Sequence, residues 1–175
     1  MIVRRILLVL AGAGALVAQT PPAANPLSAD IKSVYDSVKG FVTRSAEKMP
    51  EEHYGFKPTP DVRGFGQVLG HIADAQYLFC SAVKGEKPAP PAVEKTKTTK
   101  AELTAALQEA FAYCDASYNN MTDAKGAELV KFFGSDRTKL GVLAFNNSHN
   151  YEHYGNLVTY MRLKSIVPPS SEPRR

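Results

Sequence analysis

At 175 residues, with 44% hydrophobic and 22% charged side chains, the chain has the size and composition of one soluble globular domain with a core of its own. Its formal charge is +4, and Arg4 and Arg5 of an N-terminal leader supply two of those charges, so the remaining basic balance is too weak for a nucleic-acid binder.

The leader, "MIVRRILLVLAGAGALVAQTPPAANP", places two arginines before an apolar run from Ile6 to Ala18 that is too short to span a bilayer, then small residues and prolines. This is the layout of a secretory signal peptide over residues 1–18, followed by a linker over 19–26. A retained N-terminal anchor is the alternative, because Leu16 is a mediocre residue two places before the expected cleavage point. Cleavage predicts an exported, periplasmic or extracellular protein without membrane attachment.

The domain is expected over residues 27–165. Apolar residues at Ile31, Val34, Tyr35, Val38, Phe41, Val42, Ala46 and Met49 have the three-and-four spacing of an amphipathic helix, bracketed by Pro26 and Pro50. After the connection "EEHYGFKPTPDVRG", which carries His53 and Tyr54, the spacing predicts a second helix from about Phe65 to Lys84. His53 is expected at the surface, as loop residues are. The stretch "GEKPAPPAVEKTKT" reads as an exposed loop. The lysines at 84, 87, 95, 97 and 100 stand there without interleaved aromatics, as on a solvated segment.

Thr99 and Glu102 form a capping box that opens a third helix, with Leu103, Leu107, Ala110, Phe111, Cys114 and Tyr118 on one stripe. A glycine-containing link, "DAKGAELVKFFGSD", leads to a fourth helix from near Thr138 to about Ser165, and residues 166–175 read as a disordered tail. Four amphipathic helices without an alternating strand pattern predict an all-α four-helix bundle. The long loop between helices two and three leaves room for the chain to cross the bundle and run those two helices parallel, as in bundles with long crossovers. Cys80 lies fifteen residues beyond Phe65 and Cys114 fourteen beyond Lys100, so parallel helices would hold both at one height. Matched height and an oxidising compartment favour a disulfide over the other use of such residues, as two small buried hydrophobes.

Helix four carries two inward stripes, one of them Val142, Asn146, His149, His153, Asn156 and Tyr160. Residues four apart stand above one another on a helix, so His149 and His153 can aim ring nitrogens at one point. Glu152 does not directly follow His149, so the zincin motif is absent. His71, at the margin of the apolar arc of helix two, completes a candidate triad; hydrogen-bonded core histidines are the competing use. Asn146, Asn156 and Tyr160 are candidates for supporting the ligands or touching substrate, with interior hydrogen bonding as the alternative for the asparagines. No residue stands out as a general base.

The stretches "KPTPDVRGFGQVLGHIADAQYLF" and "NNSHNYEHYGNLVTYMRLK", the second with its H-x-x-x-H and Gly-x-Leu-x-x-Tyr-x-Arg continuation, resemble the DinB-like (DinB/YfiT-like) family of bacterial four-helix bundles. The resemblance covers about Leu27 to Ser165. It implies an up-down-down-up bundle holding a divalent metal, usually zinc or nickel, on His71, His149 and His153. Relatives include thiol-dependent S-transferases, a mycothiol-dependent isomerase and proteins described as hydrolases, so membership alone leaves the reaction and the small-molecule substrate undetermined. The family's thiol cofactors are cytosolic, whereas this chain reads as exported. A metal-dependent enzyme is therefore one expectation, and a non-catalytic exported binding or structural module the other. A homodimer is admitted, since many bundles of this kind pair through an outer helix face.

Overall fold

The structure is a computed structural model that describes residues 24–173. The signal peptide expected over residues 1–18, most of the expected linker and the last two residues lie outside the described residues. Four long helices, α1 (Pro26–Lys48), α2 (Phe65–Lys84), α4 (Lys100–Asn119) and α6 (Lys139–Leu163), pack in the spatial order α1, α6, α2, α4 and back to α1. Short helices α3 (Val93–Thr96) and α5 (Asp123–Gly126) and a hairpin of β1 (Leu129–Phe132) and β2 (Ser135–Thr138) fill the connections. None of the described helices is long and apolar enough to cross a membrane.

Local chemistry sets the helix ends. Thr99 Oγ1 accepts from Glu102 N and Glu102 Oε2 accepts from Thr99 N, the reciprocal box that starts α4. Thr138 caps α6 through Gly141 N. The N-terminus of α1 instead receives the Asp123 carboxylate of α5, which accepts from Leu27 N and Ser28 N; these bonds hold the carboxyl below the usual range. Gly85, at φ 74°, closes α2 in the left-handed conformation that glycine adopts without strain.

Contacts between α2 and α4 advance in the same chain direction: Gly66 meets Leu103 near both starts, and Tyr77 meets Tyr113 further along. Cys80 and Cys114 are disulfide-bonded there, with Cα atoms 5.4 Å apart. Between α2 and α6 the contacts run oppositely, from Arg63 with Tyr160 to Phe79 with Phe145. The largely apolar core contains a buried amide layer between α2 and α6. Gln76 of α2 donates to Asn150 Oδ1 at 2.8 Å and accepts from Asn146 Nδ2 at 3.0 Å, while Asn146 Nδ2 also reaches the Tyr118 hydroxyl. A polar pairing of this kind penalises any slip of α6 along α2, because a shifted register would strand the amides.

Three expectations from sequence are corrected. The all-α reading misses the hairpin, whose two-residue turn, Phe133–Gly134, places both residues at positive φ, 48° and 77°. The loop between helices two and three contains α3, which is seated on α2 by side-chain-to-backbone bonds. The tail from residue 166 is docked as far as Glu172: Tyr154 exchanges hydrogen bonds with Ser170, Lys48 pairs with Glu172, and Pro169 is buried.

Candidate metal centre

His149 and His153 occupy successive turns of α6, and His71 faces them from α2. The antiparallel packing fixed by the Gln76 layer brings the three rings together. His71 Nε2 lies 3.1 Å from His149 Nε2, which lies 3.1 Å from His153 Nε2. One ligand atom from each lies within 4.8 Å of the others. The Phe79 ring packs at a tilt against the His149 ring, centroids 5.4 Å apart.

The two α6 imidazoles, His149 and His153, resist protonation. Burial, then the neighbouring His153 and His71, holds the His149 pKa down to about 3. Burial and then His71 holds His153 down to about 4. Both rings are therefore neutral at pH 7, the form that offers a lone pair to a cation. A neutral Nε2 carries either one proton or one lone pair, so His149 Nε2 cannot satisfy two neighbours at once. A cation accepting all three lone pairs removes that conflict, and the donor set suits it.

His71 is oriented from behind. Its Nδ1 lies 3.1 Å from Glu94 Oε2, and the other carboxylate oxygen accepts from Arg63 Nε at 2.8 Å. Against the opposing effect of burial, Arg63 and then His71 hold the Glu94 carboxyl below its ordinary value. The other two rings are less constrained: His149 Nδ1 is buried without a partner among the described residues, and His153 Nδ1 has only the Asn156 amide at 3.4 Å.

A cleft of about 600 Å³ opens on His153 and is lined by Asn156, Tyr160, Glu94, Arg63 and Lys57. A larger one, about 680 Å³, lies against the hairpin among Phe132, Phe133 and Phe145 and touches none of the histidines, so size does not mark the chemistry here.

The three histidines thus meet, and Asn156 and Tyr160 line their cleft, Tyr160 with its hydroxyl donating to Arg63 O at 2.9 Å. Asn146 does not: it is fully buried in the Gln76 layer, away from the cleft. His53 is half-buried on its own turn, and Tyr54 points into the core, donating to Ala46 O. Glu94 and Arg63 went unread from sequence. Glu94 is the acidic residue in the basic stretch after Pro91, the one local signal it carried.

A model of the DinB superfamily matches residues 41–157, a span that includes all three histidines. The chain belongs to the DinB superfamily. Among curated relatives, the uncharacterised protein YjoA of Bacillus subtilis (strain 168) is 26% identical over 138 residues, which cover 77% of this chain and 89% of YjoA. A crystal structure of the DinB-like YjoA superposes with a TM-score of 0.68 at 23% identity, covering 83% of this chain and 99% of that one. A DinB-like protein from Bacillus cereus ATCC 10987 gives a TM-score of 0.69 at 16% identity, covering 79% and 93%. The described residues therefore share the helical fold of DinB-like proteins, with the small hairpin as part of this member.

Proposed function

We propose that this DinB-superfamily member is an exported metal-dependent enzyme of hydrolase or thiol S-transferase type, with a divalent ion, zinc or nickel, held by His71, His149 and His153. The observation that carries the reading is the convergence of three imidazole Nε2 atoms whose 3.1 Å contacts cannot both be satisfied at His149 Nε2. A divalent ion in such a site supplies Lewis acidity to a substrate oxygen or thiol. Among the described residues the cluster holds three ligands and no fourth, the pattern of catalytic rather than closed structural sites. The adjoining cleft has room for a small molecule, which the Asn156 amide can position next to His153.

The helices are read as an up-down-down-up bundle, supported by the same-direction contacts of α2 with α4. Export is supported by the Cys80–Cys114 bridge, since such bonds persist in oxidising compartments.

Elemental analysis of protein purified without a histidine tag, beside His71→Ala and His149→Ala, tests the site. One equivalent of metal in the parent that disappears in both variants supports it. A parent that is metal-free and takes up neither zinc nor nickel on titration removes it.

A further inference from the structure

We infer that Glu94 is the positioning residue of the centre and that the crossover helix α3 is built to deliver it, an inference that rests on reading the three histidines as a metal site. A neutral imidazole carries its proton on Nδ1 or Nε2, and only the first tautomer leaves the Nε2 lone pair for a cation. Glu94 Oε2, 3.1 Å from His71 Nδ1, can accept a hydrogen bond and, as a carboxylate, cannot donate one. The contact therefore selects the tautomer that the centre needs. Arg63 Nε, 2.8 Å from the other oxygen, keeps the carboxylate from rotating away.

The delivery is built into one face of α2. Asp74, three residues after His71, accepts from Val93 N at 2.8 Å and Glu94 N at 3.0 Å, replacing a cap that α3 lacks. Gly70, one residue before His71, permits the approach: a β-carbon there would come within 2.7 Å of Glu94 Cα. Ala92, at φ 57°, makes the left-handed step that turns the chain into α3. Gly70 for proximity, Asp74 for the backbone and His71 for the side chain thus form one seat for Glu94. With both oxygens committed, Glu94 orients a ligand and does not serve as a general base.

The test uses ¹⁵N-labelled metal-free protein at neutral pH, with long-range ¹H–¹⁵N correlation to read the His71 tautomer, and Zn(II) competition against a chromophoric chelator to read affinity. In the parent, His71 is protonated on Nδ1. Glu94→Ala shifts it to the mixture of an unconstrained imidazole and weakens Zn(II) binding about 10- to 100-fold. Glu94→Gln keeps a carbonyl acceptor and recovers part of both. Asp74→Ala, which touches no imidazole, weakens binding in the same direction, and it decides the matter with Glu94→Gln if Glu94→Ala does not fold. An unchanged tautomer in Glu94→Ala, or Zn(II) affinity within twofold of the parent in both Glu94→Ala and Asp74→Ala, overturns the inference. A parent that binds no Zn(II) removes the metal reading itself, while the tautomer still reports whether Glu94 orients His71.

Discussion

Gly70 and Glu94 are in backbone contact across the α2–α3 junction: a β-carbon on Gly70 would stand 2.7 Å from Glu94 Cα and 2.8 Å from its nitrogen. Alanine at 70 would raise intrinsic helix propensity by about 1 kcal/mol, as any Gly-to-Ala change inside a helix does. Here the obstacle is main chain, which cannot step aside as a flexible side chain can. Against main chain the overpacking cost falls in the upper part of its usual range of about 1–3 kcal/mol, so Gly70→Ala is expected to lower stability by about 1–2 kcal/mol net. Denaturant unfolding measures this, and a variant as stable as the parent would contradict the close packing of α3.

Acid sensitivity should report the triad. His149 and His153 have folded pKa values of about 3 and about 4, against 6.5 for an unperturbed histidine. As pH falls below 6.5 the unfolded chain gains protons that the folded chain refuses, so stability falls with pH, and the loss continues to about 4 for His153 and to about 3 for His149. Above 6.5 both states are neutral there and the contribution is flat. Melting temperatures of metal-free protein across this window should fall more steeply than those of a His149→Asn/His153→Asn variant. Parallel curves would show that the rings do not titrate as assigned.

The capping box, the start and end of α2, and the four-residue spacing of His149 and His153 are all short-range patterns, and they were legible because one helix turn contains their whole cause. Glu94 was not, because α3 exists through Asp74, nineteen residues away, and no local signal marks that capping. The docked tail escaped for the same reason: Ser170 is ordered by Tyr154, sixteen residues earlier. The hairpin hid behind "FFG", since Phe133 is a poor residue for the left-handed position that the two-residue turn imposes on it. Asn146 shares the helical stripe of His149, yet direction alone could not tell the cleft from the core one turn away.

That left-handed Phe133 offers a stabilising change. It is 69% exposed, and its φ of 48° costs an L-residue about 1 kcal/mol. Phe133→Asn creates the Asn-Gly pair preferred in this turn type. The expected gain is about 0.5–1 kcal/mol, read as a higher midpoint in denaturant. A loss would mean that the Phe133 ring, 4.2 Å from Phe132, contributes more than its backbone costs.

Reduction of the Cys80–Cys114 bridge should destabilise without changing the fold. The bridge spans 34 residues, and closing a loop of that size restricts the unfolded chain by about 3–4 kcal/mol. Unfolding with and without reductant, or of a Cys80→Ala/Cys114→Ala variant, measures the difference. A change under about 1 kcal/mol would place the effect in native-state packing instead.

The same cross-link makes a covalent ring of residues 80–114, and Glu94 rides on that ring while His71 lies just outside its anchor point. When heat or denaturant loosens the helices, the closed ring limits how far the crossover can drift from the end of α2, which modestly favours its return to the seat beside His71. Reducing the bridge opens the ring and leaves the 23-residue stretch between His71 and Glu94 as their tether, so the crossover that carries the carboxylate should be the segment that gains most freedom.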